Sequence, residues 1–399
     1  MDVFLTALPG LEEVLRGEVA ALGYEARAVP GGVTLKGSWP DVWRLNLWSA
    51  CAGAVLVRAA SFRATHLAEL DKRAGRADWG MVPQGTPITV EATAKGSRLY
   101  HTGAIAERVR NALAAAGAVP SEAPDAVRIA VRVVRDQVTI SLDTSGAPLF
   151  RRGHKLAVGR APLRETMAAS LLRMAGHVPG EAVLDPFCGS GTIILEAAAR
   201  GAGLAPGRDR TFAFEKLAGF DAAAFAAMRE EGRRARPASA AQLGSDRDRA
   251  VVAMAAQNAE RGGLAGATAF LARPVSEAVP PDGEPGLVLT NPPYGARLGE
   301  AKALVPLYRS FGAVMRRRFA GWRVGLVTSE EKLARATGLD WAERSAPIPH
   351  GPLRVRLWTT GAGRNGVPDA GGTRSEGARQ DAAAPPRPAP AERSARRAG

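Results

Sequence analysis

The regular alternation of short apolar segments with helix-forming ones constrains the fold of this 399-residue chain more than any other feature. From residue 161 onward, apolar runs such as residues 182–185 and 286–290 alternate with segments of helical periodicity such as residues 192–200 and 248–261. Strands and helices in turn are typical of a mostly parallel sheet with helices on both faces. The sequence therefore predicts an α/β domain over residues 151–360.

The remainder of the chain predicts two smaller α+β units and a tail. Residues 1–52 combine a strand near the start, a helix that opens at Pro9, and short strands with glycine breaks. Residues 53–150 combine four strands, at 54–62, 87–94, 126–135 and 137–143, with one helix at 102–116. Residues 361–399 have almost no large apolar side chain, so we expect this tail to be disordered.

The charge balance makes nucleic acid the first partner to consider. The chain has 53 Lys and Arg against 39 Asp and Glu, a net charge of +14. The tail carries little of this excess, because its seven arginines face four acids. An arginine-rich surface without a polyanionic partner is the alternative interpretation.

The cysteines and the hydropathy pattern indicate a cytoplasmic protein. Cys51 and Cys188 are far apart, and neither a disulfide framework nor a metal-binding pattern of Cys, His and acids is evident. The first 23 residues carry acids where a signal peptide needs a basic leader, and no apolar run reaches about 18 residues. We therefore expect no metal site and no membrane span.

A glycine-bearing turn joins an apolar strand to a helix in residues 183–199, VLDPFCGSGTIILEAAA. Ligands of such sheets bind at the carboxyl ends of strands, where glycines allow close approach beside a helix N-terminus. The turn matches neither common phosphate-binding motif, and Asp185 suits the α-amino group of a ligand better than a phosphate. Asp246 ends the next strand and can accept hydrogen bonds from ribose hydroxyls, whereas Asp248 is placed to cap the following helix. An amino acid joined to a ribose indicates S-adenosylmethionine; an ordinary strand-to-helix turn is the alternative.

The sequence Asn-Pro-Pro-Tyr, residues 291–294, follows the apolar strand at 286–290. Proline lacks a backbone N–H and ends strand pairing, so the Asn291 side-chain oxygen and the Pro292 carbonyl are predicted to accept both N–H groups of a nucleobase amine. This would aim the nitrogen lone pair at the methyl donor and stabilise the developing positive charge. Such positioning is worth ~7–11 kcal/mol, so no strong general base is required. Tyr294 would stack on a flipped base; a plain turn is the alternative.

Other methyl-transfer chemistry fits these residues less well. Methylation at carbon 5 of cytosine requires a cysteine nucleophile. Cys188 lies inside the glycine turn, where it is expected to be a small packing residue beside the cofactor, and Cys51 lies in another predicted unit.

At these residues the chain resembles the class I S-adenosylmethionine-dependent methyltransferases that methylate amino groups and carry Asn-Pro-Pro-Tyr. Residues 149–172 are similar to the segment that joins a THUMP domain to the catalytic domain in bacterial RNA N(2)-guanine methyltransferases. Residues 98–113 resemble a THUMP helix region, and residues 210–221 resemble an insert of the same family. The resemblance therefore extends over most of the chain up to about residue 360.

The resemblance implies a Rossmann-like domain on a seven-stranded, mostly parallel sheet, preceded by a ferredoxin-like domain (1–52) and a THUMP domain (53–150). It implies that these front domains bind structured RNA and that the enzyme methylates the 2-amino group of guanine in 23S ribosomal RNA. The implied site residues are Asp185, Gly189 and Gly191 in the donor loop with Cys188 in the same turn, Asp246 at the ribose, and Asn291, Pro292 and Tyr294 in the catalytic motif.

The sequence departs from the family pattern after the third strand of the catalytic domain. Many relatives place an acid there for the adenine amine, but Arg273 and Pro274 occupy this position. Ser276 or Glu277 are the candidates that remain for an adenine contact.

Two basic clusters, residues 151–155 and 315–323, agree with an RNA partner, although each is equally consistent with a solvated surface. In the second cluster Phe319 and Trp322 lie among arginines. Three other functions use the same features: methylation of tRNA, methylation of adenine in DNA, and RNA binding by a non-catalytic assembly factor.

Overall fold

The computed structural model describes residues 1–153, 163–237, 240–295 and 300–361. The predicted disordered tail lies outside these residues apart from Gly361, as do residues 154–162 of the segment 149–172. None of the described helices is long and apolar enough to cross a membrane.

The front half of the chain forms one continuous eight-stranded sheet. Its elements are β1 (Asp2–Thr6), α1 (Glu12–Ala21), β2 (Arg27–Val29), β3 (Gly32–Lys36), α2 (Trp39–Trp48), β4 (Val55–Arg63), α3 (Leu67–Ala74), β5 (Pro87–Lys95), α4 (Thr102–Ala115), β6 (Val119–Pro120), β7 (Val127–Val134) and β8 (Gln137–Asp143). The strand order is β2-β3-β1-β4-β8-β7-β5-β6, and β4 pairs antiparallel with both β1 and β8. The two α+β units expected from the sequence therefore share a sheet through β4.

Helix α2 was missed by the sequence interpretation, which placed only short strands between the first helix and residue 52. It begins after Ser38, whose backbone N–H and hydroxyl donate to the Asp41 carboxylate at 2.8 and 2.7 Å. Trp43 on its buried face packs against Phe220 and Phe225, with ring centroids 5.7 and 6.4 Å away. Because these aromatic rings belong to the second half of the chain, α2 joins the two halves.

The second half forms the predicted α/β sheet. Its elements are α5 (Glu165–Met174), β9 (Val183–Asp185), α6 (Thr192–Gly201), α7 (Ala222–Arg233), β10 (Gln242–Asp246), α8 (Arg249–Arg261), β11 (Thr268–Ala272), β12 (Leu287–Thr290), α9 (Glu300–Arg318), β13 (Arg323–Thr328), α10 (Glu331–Ala336), β14 (Glu343–Arg344), β15 (Ile348–His350) and β16 (Leu353–Thr359). Seven strands follow the order β11-β10-β9-β12-β13-β16-β14, and β15 pairs with β16 off this path. Strands β9 to β13 are parallel and β16 is antiparallel, which confirms the predicted class I methyltransferase fold.

Buried ion pairs connect the two halves. Glu18 on α1 accepts from the Arg173 guanidinium at 3.0 Å and from the Ser49 hydroxyl at 2.6 Å. Burial opposes ionisation of Glu18, but Arg173 and these hydrogen bonds hold its pKa below the usual range. Arg152 donates to Glu196 at 3.1 Å and to the backbone carbonyl of Ala50 at 2.6 Å. The halves are therefore joined by hydrogen-bonded charge pairs that are largely shielded from water.

Within the first basic cluster, the position of Arg152 corrects its interpretation as an RNA contact, whereas Arg151 is exposed. Its side chain is 2% exposed and its guanidinium is taken up by Glu196 and backbone carbonyls, so it serves the contact between the halves. Residues 154 and 155 of that cluster lie outside the described residues.

Candidate active site

The carboxyl ends of three adjacent strands bring the predicted site residues to one edge of the catalytic sheet. Asp185 ends β9, Asp246 ends β10, and Asn291 follows Thr290 at the end of β12. In the sheet, β9 lies between β10 and β12. The glycine turn and the Asn-Pro-Pro-Tyr corner, about a hundred residues apart in sequence, are consequently neighbours.

The glycine turn requires glycine at two positions. Gly189 and Gly191 have φ angles of +52° and +86°, a region that side-chain-bearing residues rarely adopt. A Cβ atom on Gly191 would also lie 3.0 Å from both the Ala255 methyl group and the Phe270 ring. The turn is held from below by the Cys188 backbone N–H, which donates to the Ser245 carbonyl at 2.9 Å. These contacts leave a bare, rigid backbone in front of helix α6.

Asp185 is a buried carboxyl with a shifted pKa. Its Oδ1 accepts from the Thr290 hydroxyl at 2.6 Å and from the Phe187 backbone N–H at 3.0 Å. Burial raises the pKa of Asp185 to about 7 despite these hydrogen bonds, and the nearby Asp246 adds to the increase. A positively charged ligand group beside Asp185 would offset the cost of ionising it. The site is therefore suited to an ammonium group.

Asp246 is anchored with part of its side chain accessible. One carboxylate oxygen accepts from the Gly189 backbone N–H at 3.2 Å and the other from the Asp248 N–H at 3.0 Å. Asp248 in turn accepts from the Ala250 N–H at 2.8 Å, which confirms the predicted cap of α8. Asp246 is thus fixed at the rim of the turn with part of its side chain accessible.

The Asn-Pro-Pro-Tyr corner contains a buried acceptor without a partner. Oδ1 of Asn291 is shielded from solvent and finds no hydrogen-bond partner among the described residues. The Tyr308 hydroxyl donates to the Pro293 carbonyl at 3.1 Å and holds the corner from behind, while Pro292 is buried. Burial raises the pKa of Tyr294 to about 12, partly opposed by the Asn291 side chain. Tyr294 is therefore a neutral, half-buried ring that interacts with the Asn291 side chain, whose Oδ1 has no hydrogen-bond donor among the described residues.

Thr290 is a residue of the candidate site that the sequence interpretation missed. Its hydroxyl donates to the Asp185 carboxylate. This hydrogen bond links the glycine turn to the strand end that immediately precedes Asn291. A threonine closing a strand of Leu, Val and Leu was a visible signal, because a hydroxyl at the end of a fully buried strand needs a partner.

The region expected to hold the adenine lies beside β11. The Arg273 backbone N–H donates to the Asp246 carbonyl at 2.9 Å. Ser276 and Glu277 are exposed on the short turn that follows.

The second basic cluster is mostly structural, which corrects its interpretation as an RNA-facing surface. Phe319 and Trp322 are 0% and 3% exposed and belong to the core. Arg318 donates to the Ala278 carbonyl at 3.0 Å, and Arg323 pairs with Glu181. Arg317 is the exposed arginine of this stretch.

Within the described ranges, no group of three or more His, Cys, Asp or Glu side chains is placed to hold a metal ion. Cys188 is buried, and burial raises the pKa of its thiol well above the ordinary value. It packs in the turn and is unsuited to nucleophilic attack.

This sheet order, with an acid and a glycine turn at β9 and an acceptor-rich corner at β12, defines a class I methyltransferase domain. Residues 152–354 match the family described as "RMKL-like, methyltransferase domain". Residues 2–56 match the RlmL ferredoxin-like domain. The chain belongs to this methyltransferase family.

Relatives of known name extend the match over nearly the whole chain. It is 36% identical over 397 residues to the ribosomal RNA large subunit methyltransferase K/L of Methylococcus capsulatus, covering 93% of this chain and 53% of that protein. The chain spans about half the length of the curated relatives of this name that it matches. It is 33% identical to slr0064 of Synechocystis sp., provisionally named an RNA methyltransferase, covering 89% of this chain and 95% of that protein.

Among solved structures, SMU.472 in complex with SAH superimposes with a TM-score of 0.83 at 27% identity. The match covers 91% of this chain and 98% of SMU.472. The similarity therefore includes the front domain as well as the catalytic sheet.

Proposed function

We propose that this chain transfers a methyl group from S-adenosylmethionine to the 2-amino group of guanine in 23S ribosomal RNA. The names of the K/L relatives support a large-subunit ribosomal RNA substrate, and the SAH complex of SMU.472 supports the cofactor. Such a substrate would place the activity in the cytoplasm, as the sequence predicts.

The observation that carries this proposal is the unpartnered Oδ1 of Asn291. A buried acceptor without a hydrogen bond costs about 1–3 kcal/mol, so it is unfavourable unless a ligand supplies the donor. An exocyclic amine supplies that donor. We infer that Asn291 and the Pro292 carbonyl each accept one N–H, while Tyr294 supports the plane of the flipped base.

The residues at β9 and β10 fit the cofactor. We assign Asp185 to pair with its α-amino group, Asp246 to accept from its ribose hydroxyls, and the Gly189–Gly191 turn to let it approach the backbone. When bound, the cofactor supplies a methyl group activated by a positively charged sulfur. Asn291 and Pro292 would hold the guanine amine and direct its lone pair at that methyl group. The surplus proton passes from the amine to solvent.

The front half is proposed to hold the RNA. In this assignment residues 1–52 are a ferredoxin-like domain, residues 53–150 a THUMP domain and residues 151–360 the catalytic domain. The shared sheet and the buried pairs of Glu18 and Arg152 would fix the RNA relative to the active site.

Methylation of purified nucleic acids tests the proposal. The chain is incubated with labelled S-adenosylmethionine and protein-free large-subunit ribosomal RNA, tRNA or DNA, and the product nucleoside is identified by mass. We expect N(2)-methylguanosine in the ribosomal RNA. Methylation of tRNA alone or of adenine in DNA would assign one of the other substrates. RNA binding without affinity for the donor in calorimetry would identify a binding protein.

The variant Asn291→Ala tests whether the unpartnered Oδ1 of Asn291 takes part in methyl transfer. Loss of one preorganised transition-state contact typically lowers kcat by about 100- to 1000-fold, and we expect a loss of this order. Asn291→Asp, which keeps an oxygen acceptor, is the matched control and should retain more activity. Calorimetric donor affinity should be the same in all three proteins. Unimpaired methyl transfer by Asn291→Ala would contradict the proposal.

A further inference from the structure

The turn between β7 and β8 holds two non-glycine residues in the left-handed backbone region. Arg135 and Asp136 have φ angles of +51° and +64° and form the two-residue loop of a hairpin in which Val134 pairs with Gln137. Turns of this kind favour Asn-Gly, because both positions require positive φ. Strained backbone of this type is retained where surrounding contacts enforce it, and it is frequent at functional sites.

Several contacts enforce this turn. The Asp136 carboxylate accepts from the Arg98 backbone N–H at 2.8 Å, and the Asp136 N–H donates to the Ser97 hydroxyl at 3.0 Å. The Arg135 N–H donates to the Lys95 carbonyl at 3.2 Å. The Ala64 N–H donates to the Asp136 carbonyl at 2.9 Å. Three separate chain segments, the ends of β4 and β5 and the β7–β8 turn, are therefore tied together at Asp136.

Positive side chains surround this junction. Arg63, Lys95, Arg98 and Arg135 are all exposed. Asp136, the acid that ties the segments together, is mostly buried, and one of its oxygens lies 3.7 Å from the Arg63 guanidinium. The carboxylate thus organises the backbone and offsets only part of the four positive charges.

Two exposed aromatic side chains follow Arg98 in the same chain segment. Tyr100 is 68% exposed, and its ring lies 4.3 Å from that of His101, measured between centroids. The preceding Leu99 is buried and anchors the segment in the core. A large aromatic ring this exposed, next to exposed cations, provides a stacking surface together with charges for phosphates.

We propose that this surface, the Tyr100 cluster (Arg63, Lys95, Arg98, Tyr100, His101 and Arg135), binds an unpaired stretch of the RNA substrate. A base stacks on Tyr100 while the four cations contact the flanking phosphates. Unpaired RNA fits best, because its bases are free to stack on a protein side chain. The inference rests on the proposed function, since it assigns the RNA of that reaction a second contact on the front half.

The stacking contact is tested with Tyr100→Ala and its matched control Tyr100→Phe. Steady-state methylation of protein-free large-subunit ribosomal RNA should show KM for RNA raised about tenfold in Tyr100→Ala with kcat nearly unchanged. Tyr100→Phe, which keeps the ring, should restore KM. Ultraviolet cross-linking of the unmodified chain to the same RNA should attach a nucleotide to the peptide that contains Tyr100. An unchanged KM in Tyr100→Ala would overturn the stacking contact.

The phosphate contacts are tested with Arg98→Ala combined with Arg135→Asn. Both changes leave the backbone hydrogen bonds of the turn in place, and Asn tolerates positive φ. The slope of log affinity against log salt for this RNA should become shallower by about 0.7 for each phosphate that the variant no longer neutralises. Lys36→Ala is the control, because Lys36 is an exposed cation on β3, towards the other end of the sheet. It should leave the slope unchanged.

The outcomes separate this inference from the proposed function. If the unmodified chain methylates ribosomal RNA but the Tyr100 and Arg98/Arg135 variants keep its KM and salt slope, the inference is overturned and the proposed function stands. If the unmodified chain methylates no RNA, the proposed function fails first. An equal loss of heparin binding in the double variant, with Tyr100→Ala unaffected, would show a general attraction for polyanions and overturn the inference.

Discussion

The Asn-Pro-Pro-Tyr corner and the Tyr100 cluster use their backbones in opposite ways. In the corner the sequence agrees with the local conformation, because two prolines stiffen the turn and remove two backbone N–H donors from it. In the β7–β8 turn the sequence opposes it, because Arg135 and Asp136 occupy positions that favour Asn and Gly. The corner contains a shielded amide oxygen, whereas the Tyr100 cluster presents exposed charged side chains.

This difference follows from what each site is proposed to do. Directing a nucleobase amine requires fixed acceptors shielded from water, and Oδ1 of Asn291 is shielded and has no hydrogen-bond partner among the described residues. Attracting a polyanion requires charge at the surface, where a strained turn is tolerable if it places an arginine there. The catalytic corner should therefore respond to substitution mainly in kcat, and the Tyr100 cluster mainly in KM and salt dependence.

Outside the Asn-Pro-Pro-Tyr corner, the largest expected effect is the loss of donor affinity on substitution of Asp185. Asp185→Asn keeps the size of the side chain but removes the negative charge that would pair with the donor's ammonium group. We expect calorimetry with S-adenosylhomocysteine to show an affinity about 100-fold lower or worse, as for loss of a buried charged hydrogen bond. Equal affinity in Asp185→Asn would refute the assigned role. RNA binding at the Tyr100 cluster should not change, which sharpens the contrast between the two regions.

A smaller effect on donor affinity is expected from a change of pH. Because the pKa of Asp185 is about 7, the carboxylate is mostly protonated at pH 6 and mostly ionised at pH 8. Donor affinity should rise about tenfold over this interval in the unmodified chain and stay flat in Asp185→Asn.

The stability of the ligand-free chain should change with pH in the opposite sense. The pKa of Asp185 is raised on folding, so the native state binds more protons than the unfolded state between the ordinary carboxyl pKa and about 7. The contribution of Asp185 to stability therefore falls as pH rises through that window and levels off above it. Thermal unfolding should show this decline diminished in Asp185→Asn, and identical profiles would contradict it.

The smallest expected effect is the change in stability on substitution of Arg135. Arg135→Asn relieves the left-handed strain and should raise the free energy of unfolding by ~0.5–1 kcal/mol. A purely structural role for Arg135 predicts no loss of RNA affinity, whereas the Tyr100 cluster predicts higher stability together with weaker RNA binding. Denaturant unfolding measured alongside the salt titration distinguishes the two.

The parts of the fold predicted from sequence were those with a local periodic signal. The strands and helices of the catalytic sheet and the cap at Asp248 followed from residues close together in the chain. Helix α2 was missed although Ser38 and Asp41 form a hydrogen-bonded N-terminus, because its tryptophans and Pro40 weaken the helical pattern. The burial of Arg152, Phe319 and Trp322 could not be predicted, since each depends on partners distant in sequence.

The sequence by itself determined the class of domain and the residue types of the site, because strand–helix alternation and proline geometry act over a few residues. Only the tertiary structure decided which arginines face solvent, and that Thr290 links the Asp185 turn to the Asn291 corner. The physical reason is that burial and pKa depend on neighbours brought together by the sheet. A carboxyl with a pKa near 7 and an amide oxygen without a partner exist only once β9, β10 and β12 lie side by side.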